Sequence, residues 1–179
     1  MGLAQKYIPH YTYDDWLHWE GRWELIEGIP IALIPSPSPA HQLVSAELQG
    51  AFKLAITKAS AKNCILYPTI GYYIKDNTIL APDIIIVCEK ITKDLLDFPP
   101  KLIVEILTEA TKKRDREIKF DYYEQEGVKY YLIVDINKKS IEIYELVNGR
   151  YELRPYVNGF DFNIKDDCTI SPQLDNVWE

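Results

Sequence analysis

One aliphatic run broken by a single carboxylate constrains this chain more than anything else in it: Leu102-Ile103-Val104-Glu105-Ile106-Leu107. Pro99 and Pro100 precede it, and β-branched residues fill it. Such a segment reads as a strand covered on both faces, so the fold needs a sheet with other elements packed on either side. Glu105 is out of place there. A buried carboxylate with no partner costs several kcal/mol, so Glu105 needs a metal ion, a proton or a cationic partner such as an arginine. A second acid has a similar setting: Asp83 follows Leu80-Ala81-Pro82 and leads into Ile84-Ile85-Ile86-Val87.

The remaining elements follow from local signals. Thr12 with Asp15 three positions on is a capping box, opening a short helix from Tyr13 to about Glu20 that Gly21 ends. Residues 23–34 read as a hairpin around Glu27-Gly28, after a loose arm over residues 1–11. The Pro35-Ser36-Pro37-Ser38-Pro39 stretch is a loop whose end caps a helix, with Ser38 at the N-cap and Pro39 in the first turn. That helix runs to about Ser60 with Val44, Leu48, Ala51, Ala55 and Ala59 as its apolar stripe; His41 and Glu47 flank the stripe.

Strands are expected over 64–67, 70–74 and 78–88, and a helical turn near 94–96. After the Glu105 strand and a polar connector, a helix spans Arg114 to about Gln125 and stops at Gly127. Tyr130–Ile136 is another buried strand, and Ile141–Leu146 turns at Asn148-Gly149 into Tyr151–Leu153. The tail, Asn158 to Glu179, reads as a loop with a short helix or strand that covers an edge. This order predicts an α/β chain of the mixed-sheet, α+β kind: a central mixed sheet flanked by helices, with an N-terminal helix and hairpin. One domain is expected over 1–179, with its core at about 11–155 and an extension over 156–179.

The net charge of −7 disfavours a protein that coats nucleic acid non-specifically, since its field would repel phosphate. It leaves room for a local basic patch. Residues 112–119 (KKRDREIK) supply one, with five cations against two acids. Three cysteines, two of them beside apolar runs, read as reduced thiols rather than a disulfide framework. No apolar run is long enough for a bilayer and no leader pattern opens the chain, which implies a cytoplasmic protein. Thirteen tyrosines and four tryptophans suit a rigid core and a dimer interface.

The chemistry gathers around the two acids. Strand alternation puts Ile103, Glu105 and Leu107 on one face. Asp115, Lys119 and Tyr122 are spaced four and three, which puts them on one helix face. A helix leaving the Glu105 strand packs back on its sheet and can direct Lys119 at Glu105. Asp83 and Glu105 are hard oxygen ligands suited to Mg2+ or Mn2+. A neighbouring lysine could orient water or offset charge on a pentavalent phosphate. Asp115 also suits the first turn of a helix, where it complements the dipole. Lys112, Lys113 and Arg114 beside the site are candidate phosphate contacts. Glu24 and Glu47 are candidate extra acids for a second metal.

These residues resemble the PD-(D/E)XK nuclease superfamily, and within it the Uma2-like proteins, formerly DUF820. The similar stretches are Trp23–Gly28, Ser36–Ser38 through His41, Ala81-Pro82-Asp83, Pro100–Leu107, Arg114-Asp115 through Lys119, and Gly127–Asp135. The resemblance implies a restriction-endonuclease-like core and a Mg2+- or Mn2+-dependent endonuclease acting on DNA. Asp83, Glu105 and the Ile106 carbonyl would hold the metal, His41 would lie at the site's edge, and a homodimer would place one site on each strand. The superfamily pattern has a lysine two residues after the glutamate, where this chain has Leu107. The resemblance therefore implies a migrated lysine, Lys119. Lys101 shares the strand face but lies roughly 13 Å from Glu105 at the usual rise. Two other classes remain open: a nuclease fold kept as a non-catalytic binding module, which Leu107 and the acidic charge favour, and a small-molecule metal hydrolase.

Overall fold

The computed structural model describes residues 9–33, 37–61, 63–157, 159–165 and 168–178. Residues 1–8 of the expected arm, the hairpin end at Ile34 and the Pro35-Ser36 part of the loop lie outside them, as does Asn158 at the start of the tail.

Helix α1 (Tyr13–Trp16) is capped as expected, the Thr12 N–H and hydroxyl both donating to Asp15 Oδ2 at 2.9 and 3.0 Å. It stops well short of Glu20. The Trp16 indole N–H donates to the Trp23 carbonyl, tying the helix end to the hairpin. That hairpin is β1 (Trp23–Ile26) and β2 (Ile29–Ala32). Its two turn residues, Glu27 (φ 50°) and Gly28 (φ 78°), are both left-handed, as a two-residue turn matched to strand twist requires. Gly28 is needed twice over, because a Cβ there would lie 2.9 Å from His10 Nδ1 and 3.3 Å from the His10 backbone.

Helix α2 (Pro39–Lys58) starts where the sequence places it, with Ser38 Oγ accepting the His41 N–H at 3.2 Å. Its buried face is Val44, Ser45, Leu48, Phe52 and Ala55, with His41 at the start.

The strand expected over 78–88 is two strands in two sheets. Strands β3 (Ile65–Pro68) and β4 (Tyr72–Lys75) come before it, then β5 (Thr78–Leu80) and β6 (Ile84–Val87). Strand β5 joins an antiparallel four-stranded sheet, β2-β1-β5-β4. Strand β6 joins a six-stranded one, which continues with β7 (Leu102–Ile106), β8 (Tyr130–Asp135), β9 (Ser140–Val147) and β10 (Arg150–Arg154) in the order β10-β9-β8-β7-β6-β3. Pro82 explains the break. It has no N–H for a ladder, and the chain changes sheets there. Asp83 therefore sits at the crossing between the sheets. The helical turn expected near 94–96 does not form; Leu96 instead bridges to Tyr72.

Only β7 and β8 pair in parallel within the six-stranded sheet. Their connection is one helical run in three parts: α3 (Lys112–Arg114), a π-turn (Asp115–Lys119) and α4 (Phe120–Gln125). Gly127, at φ 80°, ends it. The two faces of the sheet carry separate cores. Val104 and Ile106 of β7 pack toward α2 and the C-terminal segment, where Phe162, Ile164, Ile170, Leu174 and Val177 are buried. The tail, expected as a loop with a short helix or strand over an edge, holds two short strands, β11 (Phe162–Lys165) and β12 (Cys168–Ile170), paired in a sheet of their own, and supplies core side chains as well. Ile103 and Leu107 face the other core with Tyr123, Tyr131 and Ile133.

The cysteine reading is corrected. Cys64 and Cys88 form a disulfide, and Cys168 is free. They stand one step beyond the Ile65↔Val87 pair of the β3/β6 ladder, so the strand register brings them together. Nothing in their sequence spacing shows that register. Among the described residues no helix is long and apolar enough to cross a membrane.

Candidate active site

Ile84 pairs with Val104 in the antiparallel β6/β7 ladder, so Asp83 and Glu105 stand opposite one another one step further along. The two strand-borne acids are cross-strand neighbours at the end of the large sheet. They line a cleft of about 440 Å³. The hairpin contributes Arg22, Ala32 and Leu33 to its wall, the start of α2 contributes Ser38 and His41, and the helical run after β7 contributes Arg114, Asp115 and Lys119.

Glu105 is 2% exposed and Lys119 is 2% exposed. Lys119 Nζ donates to Glu105 Oε1 at 2.8 Å. It also lies 2.8 Å from Glu24 Oε1 and 3.4 Å from Asp115 Oδ1, as charge contacts rather than aligned hydrogen bonds. Glu24, 0% exposed, reaches the site from β1. Its Oε1 also accepts the Ala81 N–H at 3.0 Å, which ties the hairpin to the turn that presents Asp83. Arg114 Nε lies 3.0 Å from Glu24 Oε2. Asp83 Oδ2 accepts the Ile106 N–H at 2.8 Å and lies 3.4 Å from His41 Nε2.

The π-turn explains why the helix meets the site as it does. Four residues overshoot a 3.6-residue turn by about 40°, so two such steps in a regular helix would carry the third side chain about 80° round. One widened turn takes back that overshoot, and Asp115, Lys119 and Tyr123 all become buried on one side. This corrects the expectation for Tyr122, which rests on an unbroken 3.6 period. The extra residue moves the third member of the face from 122 to 123. Tyr123 donates to Glu105 Oε1 at 2.7 Å, whereas Tyr122 turns outward and hydrogen-bonds Glu27.

Other expected residues separate clearly. Of the basic run only Arg114, Asp115 and Lys119 line the cleft; Lys112 and Lys113 do not. Glu47 is exposed on α2 and does not line the cleft either. Lys101 contacts Glu89 at 3.7 Å instead of turning toward Glu105. Arg22 and Tyr123 are the participants that sequence reasoning missed. Only Tyr123 had a usable signal, since it lies four residues after Lys119.

Electrostatics follow from a surplus of negative charge under burial. Glu24, Asp83, Glu105 and Asp115 are met by Lys119 and Arg114 in direct contact and by Arg22 on the cleft wall, so four acids stand against three fixed cations. Burial, and behind it the repulsion of Asp115, Asp83 and Glu24, push the Glu105 carboxyl well above the ordinary carboxylate range, against the pull of Lys119. Burial likewise raises Asp115. Burial opposes a charged Lys119, but Glu105, Glu24 and Asp115 outweigh it and keep the ammonium protonated. Burial would also lower His41, yet the Asp83 carboxylate more than offsets that.

The donor set fits a divalent cation. Asp83 and Glu105 both line the cleft, and beside them Glu24 Oε2 and Asp115 Oδ1 are buried with charge contacts to Arg114 and Lys119 but no aligned hydrogen-bond donor. Among the described residues no three His, Cys, Asp or Glu side chains form a ready cage.

The Uma2 family model, described as a putative restriction endonuclease, matches residues 11–172. The chain belongs to the Uma2 family. Its fold is similar to the crystal structure of a putative nuclease belonging to DUF820 from Anabaena variabilis ATCC 29413, with a TM-score of 0.73. The match covers 93% of this chain and 97% of that one at 14% identity, so it bears on the fold alone. No curated protein matches the chain. The Uma2 assignment and the mixed sheet agree with the nuclease-like architecture expected from the sequence.

Proposed function

We propose that this Uma2 protein is a Mg2+- or Mn2+-dependent endonuclease that hydrolyses phosphodiester bonds in DNA. The observation that carries the reading is the placing of Asp83 opposite Glu105, one step beyond the Ile84↔Val104 pair of the β6/β7 ladder, with Lys119 Nζ 2.8 Å from Glu105. Asp83, Glu105 and the Ile106 carbonyl would hold the ion, whose chemistry is to polarise a phosphoryl oxygen and favour the hydroxide form of water. Glu105 and Asp83 draw the scissile phosphate's counter-charge to the end of the sheet. Lys119 and Arg114 offset the negative charge that grows as a water oxygen bonds to phosphorus and the ester P–O bond breaks. The water's proton leaves with the departing oxygen or to solvent. His41, beside Asp83, holds that carboxylate in place, and Ser38 and Arg22 at the cleft wall suit contacts to flanking phosphates. Cutting both strands of a duplex calls for a homodimer, one site per strand.

The test is plasmid nicking with Mg2+ or Mn2+. The unaltered protein converts supercoiled DNA to nicked and linear forms, and Glu105→Ala does not. Equal cutting by both would overturn the assignment. A second reading draws on the cleft, whose 440 Å³ lies in the range of small-ligand pockets. Metal-dependent hydrolysis of bis(p-nitrophenyl) phosphate with no cleavage of plasmid or single-stranded DNA would favour a small-molecule phosphodiesterase.

A further inference from the structure

Glu105 is held by one oxygen only. Lys119 Nζ at 2.8 Å and the Tyr123 hydroxyl at 2.7 Å both donate to Oε1, and among the described residues no donor reaches Oε2. The last torsion of a glutamate is soft and nearly two-fold, so little in the side chain itself decides which oxygen faces the cleft. Lys119 is a poor choice for that task, because its ammonium is a point charge on a flexible stem that also answers to Glu24 and Asp115. Tyr123 is different. Its rigid ring is fully buried, stacked 6.4 Å from Tyr72 and edge-on to Tyr131 at 5.0 Å, and it does not line the cleft.

From this geometry we infer that Tyr123 is a positioning residue. Its hydroxyl pins Oε1 inward and leaves Oε2 as the single Glu105 oxygen offered to a divalent ion. The inference rests on the metal-dependent reading above and adds to it a coordination mode. One-oxygen presentation suits small octahedral ions such as Mg2+ and Mn2+, whereas Ca2+ commonly takes a carboxylate by both oxygens. Tyr123 thus acts on ion choice as well as affinity, without touching substrate.

Calorimetric titration with Mn2+, Mg2+ and Ca2+ tests this on the full chain, comparing the unaltered protein with Tyr123→Phe, Tyr131→Phe and Asp83→Ala. Tyr131 is the matched control: equally buried, in the same aromatic cluster, with its hydroxyl on the Asp115 carbonyl at 2.8 Å. Tyr123→Phe is expected to weaken Mn2+ binding about 10-fold or more, the usual cost of losing a partner behind a metal ligand. It should also move the Ca2+/Mg2+ affinity ratio toward Ca2+, which general loosening would not do. Tyr131→Phe should stay within about twofold of the unaltered protein. Should Tyr123→Phe fail to fold, 4-fluorophenylalanine at position 123 fills the hydroxyl's space without donating, and the same losses are expected. Unchanged affinity and unchanged ion ratio would overturn the role of Tyr123 while leaving Asp83-dependent binding intact. Absence of Asp83-dependent binding in the unaltered protein would overturn the metal reading itself, and this inference with it.

Discussion

The cleft and the outer strands are built from the same ion pairs and behave in opposite ways. On β9 and β10 the acids pair with arginines and have water on one side, Arg116 serving Glu142 and Arg154 serving Glu145 and Glu152. Arg116 grips Glu142 through both guanidinium nitrogens at 2.9 and 2.5 Å, and Arg154 donates to Glu145 at 2.8 Å. Arg116 draws the Glu142 carboxyl below its ordinary value, as a satisfied carboxylate should be. In the cleft, the buried acids Glu24, Glu105 and Asp115 crowd round Lys119 with Arg114 to one side, and Glu105 and Asp115 move the other way. The difference lies in charge balance under burial, not in residue type. A balanced exposed pair adds a little stability, whereas an unbalanced buried cluster costs stability and creates demand for a cation.

The comparison breaks most visibly at Lys119. Lys119→Met leaves three carboxylates facing one another in the dry part of the cleft. It should lower unfolding free energy by about 3–5 kcal/mol, measured by urea denaturation in EDTA, and abolish cleavage.

Saturating Mn2+ acts with the next-largest effect and the opposite sign. At about 100 times its dissociation constant, one ion bound only by the folded chain adds about 2.7 kcal/mol. The effect should grow with pH. Glu105, Asp115 and His41 all hold protons more tightly in the folded chain than in the unfolded one. The folded state then carries more protons, so metal-free stability falls as pH rises from the ordinary carboxylate range through those raised values. Melting in EDTA at pH 6 and pH 8 checks the sign: the midpoint should be lower at pH 8, and Mn2+ should reverse the order.

Glu105→Gln sharpens the contrast further. Removing one surplus charge while keeping an acceptor for Tyr123 should stabilise the metal-free chain by about 1 kcal/mol or more and eliminate metal-dependent cleavage. On the outer sheet the same exchange has the other sign and a smaller size. Glu142→Gln should cost about 0.5–1 kcal/mol at pH 7. Because the folded Glu142 value is depressed, that contribution is present above its ordinary 4.5 and disappears as pH falls through the folded value.

Much of this site is visible in the sequence because burial of a charge is a one-dimensional signal. An acid inside Leu102–Leu107 announces itself, and so does an acid between Pro82 and Ile84. The spacing of Asp115 and Lys119 also survives the passage to three dimensions. What the sequence conceals depends on register and on local irregularity. The sheet change at Pro82, which makes Asp83 and Glu105 cross-strand neighbours, needs knowledge of which strand pairs with which. So does the Cys64–Cys88 pair. The widened turn at Asp115–Lys119 shifts every later side chain by one place, so period counting picks Tyr122 where the fold uses Tyr123. Glu24 comes from a separate sheet, and only packing shows that it meets Lys119.

The central claim is that two acids set in neighbouring strands jointly hold a divalent ion. Anomalous diffraction from crystals grown with Mn2+ tests it most directly. The account predicts one strong peak in the cleft, bridging Asp83 and Glu105 beside the Ile106 carbonyl and lost in Asp83→Ala. A cleft without a peak at saturating Mn2+, or a peak bound elsewhere with Asp83 and Glu105 unliganded, would contradict it.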